Sequence, residues 1–207
     1  MPLRVLHKAR WGRQRPRREI IGAMSSHAHE IDSPSPWVRR WAALIRPGGR
    51  VLDVACGHGR HVRYLSSLGL AVVGVDRDEA ALAALDGTGG THILVADIEA
   101  GPWPFAPGEF DGVVVTNYLH RPLFPDLVGA VRSGGVLIYE TFALGNERYG
   151  RPGNPDFLLR PNELLSRVEP LRVIAFEQGL VTAPKPAVIQ RICAVRDEKP
   201  IPPLDAR

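Results

Sequence analysis

Three aspartates, a pair of glycines and one histidine-bearing segment mark where this chain can do chemistry. Between Val51 and His61 the sequence reads VLDVACGHGRH, an apolar run with an acid followed by a glycine-broken turn. Gly57 and Gly59 permit backbone angles and a close ligand approach that a side chain would block. A helix opening near His58 directs unpaired N–H groups into the same space, where a carboxylate or phosphate can sit. Asp53, Asp76 and Asp97 each lie at or near the end of a short apolar run. Asp76 stands 17 residues beyond Gly59, the spacing of a carboxylate that grips ribose hydroxyls. That feature fits NAD and an adenosine sulfonium alike. A dinucleotide fingerprint, however, needs glycine at position 62, where this chain has Val62. Asp78 reads as a helix cap. His58 and His61 lack a Cys or carboxylate partner at metal spacing, so no metal is expected and they read as facing solvent or lining the turn. Cys56 reads as a packing residue whose backbone serves the turn.

The elements that must position these groups follow from periodicity. Trp37, Val38, Trp41, Ala42, Leu44 and Ile45 recur at helical spacing until Pro47-Gly48-Gly49, as helix core or as a cover over the ligand cleft. Strands are predicted at Val51–Ala55, Ala71–Val75, His92–Ala96, Asp111–Thr116 and Val136–Thr141. Helices are predicted at roughly His58–Leu68, from Asp78 through Ala84 and Leu85 to Gly87, and at Pro125–Val131. A loop spans Ala143–Arg160, a short helix begins at Pro161, and two late strands follow near Leu171–Phe176 and Ala187–Val195. Short apolar strands alternating with helices predict a doubly wound, mainly parallel α/β sheet covered on both faces. The two late strands have no helix between them, so a terminal hairpin with an antiparallel edge strand is expected.

Composition narrows the partners. At 44% hydrophobic and 23% charged residues the chain is an ordinary globular one, and 207 residues can bury a core. No apolar run approaches the roughly 18 residues of a membrane span. Two cysteines make no disulfide framework, which favours a reduced, cytoplasmic setting. The basic balance is concentrated in residues 1–23, with seven Arg or Lys against Glu19, a net of +6; the chain total is +4, leaving −2 for residues 24–207. Residues 1–23 are therefore expected to be a disordered extension ahead of a domain at 24–207, with a nucleic-acid-binding arm as the alternative. A mildly acidic body disfavours a nucleic-acid partner and leaves a small molecule as the expected one.

Five segments in register, VLDVACGHGRH, VVGVDRDEAAL, ADIEAGPWPF, FDGVVVTNYLH and SGGVLIYETF, resemble the successive motifs of class I S-adenosylmethionine-dependent methyltransferases. The resemblance covers most of residues 37–195. It implies a Rossmann-like, seven-stranded sheet with a reversed last strand, and S-adenosylmethionine as cofactor. It also implies that Asp53, Ala55, Cys56, Gly57 and Gly59 hold the methionine end, Asp76 and Arg77 the ribose, and Asp97 and Ile98 the adenine. Asn117 would lie beside the sulfur. Ala55 replaces the first glycine of that turn, a small departure. Size and the segment NYLHRPL look most like the small bacterial branch that includes tellurite-resistance-type methyltransferases. The acceptor side is expected at Asn117, Tyr118, His120 and Arg121, with His120 as a base for a hydroxyl or amine. Glu140 and the loop residues Arg148, Tyr149 and Arg151 are further acceptor candidates, the loop serving as a glycine-hinged lid. A non-catalytic binding protein and a nicotinamide oxidoreductase are the competing classes, the second opposed by Val62.

Overall fold

The computed structural model describes residues 33–83, 85 and 90–196. The basic stretch 1–23, Ala84 and Gly87 lie outside the described residues. Apolar runs that are hydrophobic on both faces form the centre: β1 (Arg50–Val54), β2 (Ala71–Asp76), β3 (Thr91–Val95), β4 (Phe110–Thr116) and β5 (Val131–Phe142). Every residue of β4 is buried, as a strand covered on both faces requires. β6 (Arg172–Val181) and β7 (Ala187–Val195) complete a seven-stranded sheet in the order β3-β2-β1-β4-β5-β7-β6. All pairings from β3 to β5 are parallel, and β7 is antiparallel to both β5 and β6.

The Rossmann-like expectation is therefore met, with two corrections. The reversed strand is not at the edge: β7 inserts between β5 and β6. Its Ile192, Cys193 and Ala194 are fully buried, whereas β6 alternates exposed and half-buried positions along its length. The more apolar arm of the hairpin takes the interior place. A second correction concerns β5, which begins at Val131 rather than Val136. Val131 pairs with Phe110 before a register shift, so the segment Ser133-Gly134-Gly135 is an irregularity within the strand and not a turn ahead of it.

Two cores lie on opposite faces of the sheet. On one, α1 (Pro36–Trp41), α2 (Arg60–Ser67) and α3 (Glu79–Ala83) bring Trp37, Val38, Trp41, Val62, Leu65 and Leu82 against Val51, Val72 and Val114. On the other, α4 (Phe124–Ala130) and α5 (Glu163–Arg167) bring Phe124, Leu127 and Leu164 against Leu52, Val54 and Val113. Trp37 is core, its indole N–H donating to the Ile192 carbonyl at 3.1 Å. Asp78 caps α3 through its Oδ1, which accepts from the Ala81 N–H at 3.0 Å.

Candidate functional site

Three residues in left-handed conformation shape the turn after β1: Ala55 (φ 52°), Gly57 (φ 51°) and Gly59 (φ 71°). Alanine in that region costs about 1–2 kcal/mol, so the turn stores strain at Ala55 where glycine would not. A Cβ at Gly57 would meet no heavy atom within 4 Å, which leaves open space in front of the turn. A Cβ at Gly59 would meet the Leu85 side chain, and the left-handed backbone there favours glycine in its own right. The Cys56 N–H donates to the Val75 carbonyl and its own carbonyl accepts from Gly59, so the turn is tied to the end of β2. The Cys56 side chain is buried, and a Cβ on Gly74 would come within 3.0 Å of its sulfur, the packing role expected for it.

Asp76 is the second tie. Its Oδ2 accepts from the Gly57 N–H at 2.8 Å and its Oδ1 from the Asp78 N–H at 3.0 Å. Each carboxylate oxygen keeps a lone pair for another donor. Arg77 beside it is exposed. Asp97, past the end of β3, accepts from the Glu99 and Ala100 N–H groups through Oδ1, at 3.0 and 3.1 Å. Those two bonds hold its carboxyl below the usual range. Ile98 is buried in the core on the α4 face.

Asp53 behaves differently. It is 1% exposed, and its Oδ2 has no hydrogen-bond partner. Burial pushes its pKa up to about 7, against the pull of the Arg60 charge and the Val62 N–H. Among the described residues this oxygen is one of few buried side-chain polar atoms left without a partner.

Asn117, in left-handed conformation (φ 55°), ends β4 and is held by its N–H to the Glu140 carbonyl. Tyr118 Oη is buried without a hydrogen-bond partner; burial, and then the nearby Glu99 charge, raise its pKa. His120 turns toward the loop after β3, its Nδ1 3.7 Å from Glu99 Oε2. The structure thus brings Asn117, Tyr118 and His120, after β4, to the same end of the parallel sheet as Asp97, after β3.

Other expected acceptor residues are already engaged. Arg121 makes four hydrogen bonds, two to the Glu163 carboxylate and two to the Asp156 and Leu158 carbonyls. Glu140 accepts from Ser35 Oγ at 2.8 Å and faces Arg191 at 3.4 Å. Both are framework residues in this geometry, although their charges suggested acceptor contacts. The 143–160 loop is pinned near one end by buried Asn146, which accepts from the Val188 N–H, and at the other by Arg121. Arg148, Tyr149 and Arg151 lie on the exposed stretch between these anchors.

His61 was expected on the surface or along the turn, and instead it is 2% exposed. Its Nε2 accepts from the Ser35 N–H at 3.0 Å, so the ring proton is on Nδ1, 3.3 Å from Thr116 Oγ1. Burial, with the Arg60 charge, lowers its pKa to about 3, and it is neutral at any working pH. The signal was present in its helical spacing: His61 precedes Val62 and lies four residues before Leu65, on the buried face of α2.

Residues 51–135 match the model of a family described as a methyltransferase domain. That stretch, less than half of the chain, holds β1, the tied glycine turn and β2 to β4, and is similar to a methyltransferase domain. The chain is similar to an uncharacterised methyltransferase of Synechocystis sp., 36% identical over 94 residues covering 44% of this chain and 42% of the relative. It is also similar to the tRNA U34 carboxymethyltransferase of Methylococcus capsulatus, 31% identical over 62% of this chain and 46% of that protein. The matched part of the chain thus spans less than half the length of these curated relatives. Its fold is that of TehB from Haemophilus influenzae, with TM-score 0.65 and 22% identity over 79% of this chain and 63% of that one. Among its described residues no helix is long and apolar enough to cross a membrane.

Proposed function

We propose that this protein transfers a methyl group from S-adenosylmethionine to a small molecule carrying a hydroxyl or amine. The observation that carries the reading is the pairing of an orphaned buried carboxylate, Asp53, with a carboxylate tied to the glycine turn, Asp76. The donor set fits the cofactor: an ammonium satisfies Asp53, ribose hydroxyls donate to the free lone pairs of Asp76, and the open face of Gly57 admits close approach. Asp97 and Ile98 border the adenine end, with Arg77 at the rim by the ribose. When bound, S-adenosylmethionine supplies a methyl group whose leaving group is a neutral thioether.

The protein's own contribution is placement. Asn117, in its fixed left-handed conformation, and the half-buried Tyr118 side chain orient the acceptor, and the core beneath them excludes water. Such orientation is worth roughly 7–11 kcal/mol of barrier. His120 takes the acceptor's proton, with Glu99 across from it. Arg148, Tyr149 and Arg151 supply the acceptor contacts, because Arg121 and Glu140 are engaged in the framework.

A second reading has its own support, the 31% identity to a protein named for tRNA. It removes the argument from charge against nucleic acid and makes RNA an acceptor to be tested. Methyl-labelled S-adenosylmethionine, incubated with the full chain and either a small-metabolite extract or total RNA, separates the two. Label in a small product supports the proposal, and label confined to RNA replaces it. With the labelled acceptor in hand, His120→Ala is expected to lower kcat by about 100-fold or more, within the range of general-base contributions. A kcat within twofold of wild type removes the base role.

Asp53 makes the binding pH-dependent. Only its ionised form pairs with an ammonium, and its pKa lies near 7. Affinity for S-adenosylhomocysteine, measured by calorimetry, should therefore fall about tenfold from pH 8 to pH 6, as the ionised fraction of a group with a pKa near 7 falls over that range. Asp53→Asn should bind more weakly and show a flat profile over that range. A flat wild-type profile would show that Asp53 does not hold the ammonium.

A further inference from the structure

The turn after β3 carries two carboxylates, Asp97 and Glu99, and only the first has a part in the donor cleft. Its backbone is closely held. The Ala96 N–H donates to the Asp76 carbonyl and the Gly101 N–H to the Asp97 carbonyl, each at 2.9 Å. Asp97 Oδ1 accepts from the N–H groups of Glu99 and Ala100. Glu99 thus leaves a rigid turn, and its side chain is 39% exposed rather than drawn into the core.

In the sheet, β2 and β1 lie between β3 and β4. The start of the connection from β3 nevertheless reaches the end of β4, because Glu99 Oε2 lies 3.7 Å from His120 Nδ1. His120 is held from its own side as well. Its carbonyl accepts from the Leu123 N–H at 3.1 Å, and the neighbouring Arg121 clasps Glu163 and the Asp156 and Leu158 carbonyls. The 3.7 Å separation is an ion-pair distance and too long for a hydrogen bond, so Glu99 acts on the ring by charge.

A neutral imidazole holds one proton, and the group facing one ring nitrogen decides which nitrogen bears it. A carboxylate facing Nδ1 favours the proton there and leaves the Nε2 lone pair free. The same charge attracts the imidazolium that forms once Nε2 has taken a second proton.

We propose that Glu99 is the positioning residue of His120, keeping the ring proton on Nδ1 so that Nε2 receives the acceptor's proton. This rests on His120 as the base of the transfer proposed above. The proton leaves the acceptor's hydroxyl or amine as that oxygen or nitrogen bonds to the methyl carbon, and the thioether departs with the C–S electron pair. One turn then serves both partners of the reaction, Asp97 toward the donor and Glu99 toward the base.

Nitrogen-15 NMR of the full chain, labelled at histidine, reads the tautomer without any acceptor, and His120→Ala identifies the signals of that ring. At pH 8, above the ordinary imidazole range, wild type should carry the His120 proton on Nδ1. Glu99→Ala should move it to Nε2 in most molecules. Glu99→Gln, which keeps an oxygen without the charge, should fall between. Thermal midpoints near wild type will show that the variants fold. With the labelled acceptor in hand, Glu99→Ala should lower kcat about fivefold, the upper end for a partly exposed ion pair, with KM within about twofold. It should add nothing in the His120→Ala background. A wild-type proton on Nε2, or a tautomer unchanged in Glu99→Ala, overturns the inference. Equal losses of kcat with and without His120 overturn it too, and the base role then stands. If His120→Ala keeps kcat within about twofold of wild type, the base role itself fails, and the inference with it.

Discussion

Asp76→Ala is expected to weaken S-adenosylhomocysteine binding by roughly two to four orders of magnitude. Each ribose hydroxyl donating to a carboxylate contributes about 1.5–3 kcal/mol, and two are lost. The effect has a second origin within the chain. Asp76 Oδ2 holds the Gly57 N–H, so the substitution also releases the turn that faces the ligand. Asp76→Asn separates these contributions, because its amide oxygen still accepts one hydrogen bond. Its affinity should lie between wild type and Asp76→Ala. Calorimetry on the three proteins, with thermal midpoints as the folding control, checks the ordering. Unchanged affinity in Asp76→Ala would overturn the ribose assignment and the reading built on it.

Glu163→Ala should lower stability by about 3 kcal/mol in urea unfolding. Breaking a buried ion pair typically costs about 3–5 kcal/mol, and the low end applies because Arg121 and Arg167 retain 26% and 39% side-chain exposure. Replacing Arg121 and Glu163 together by methionine should recover most of the loss, since no buried charge is then left alone. The pair also makes stability depend on pH. Burial raises the Glu163 pKa, but hydrogen bonds from Arg121, the Arg160 N–H and Arg167 outweigh it and hold the carboxyl at about 2, below its ordinary 4.5. A depressed folded-state pKa stabilises the fold above the unfolded value and ceases to do so as pH falls through the folded one. The advantage of wild type over Glu163→Ala should therefore be full above about pH 5 and shrink between about pH 4.5 and 2. An advantage unchanged at pH 3 would show that the ion pair is not its source.

The same clasp has a functional side. Arg121 directly follows His120, and its guanidinium holds the carbonyls of Asp156 and Leu158. The strand-end segment bearing Asn117, Tyr118 and His120 is thereby tied to the loop bearing Arg148, Tyr149 and Arg151. Sequence reading placed Arg121 among residues that touch an acceptor because arginines in a mouth commonly do. Its partner Glu163 lies 42 residues away, and no local pattern announces such a pair. Glu140 is the same case, since its contacts with Ser35 and Arg191 span 105 and 51 residues.

What the residues determined alone was local and periodic. The apolar runs, the glycine turn after β1, the carboxylates at strand ends and the unpaired late strands were legible because strand and helix periods and left-handed turns depend on near neighbours. The resemblance to a family of methyltransferases rested on the order of five such segments. Tertiary structure decided what depends on distant partners. It placed β7 inside β6, buried His61 between Ser35 and Thr116, and committed Arg121 and Glu140 to the framework. It also left the Oδ2 of Asp53 without a hydrogen-bond partner among the described residues. Charge satisfaction is a property of three-dimensional neighbours, and a carboxylate's role changes with whether the fold brings it a donor.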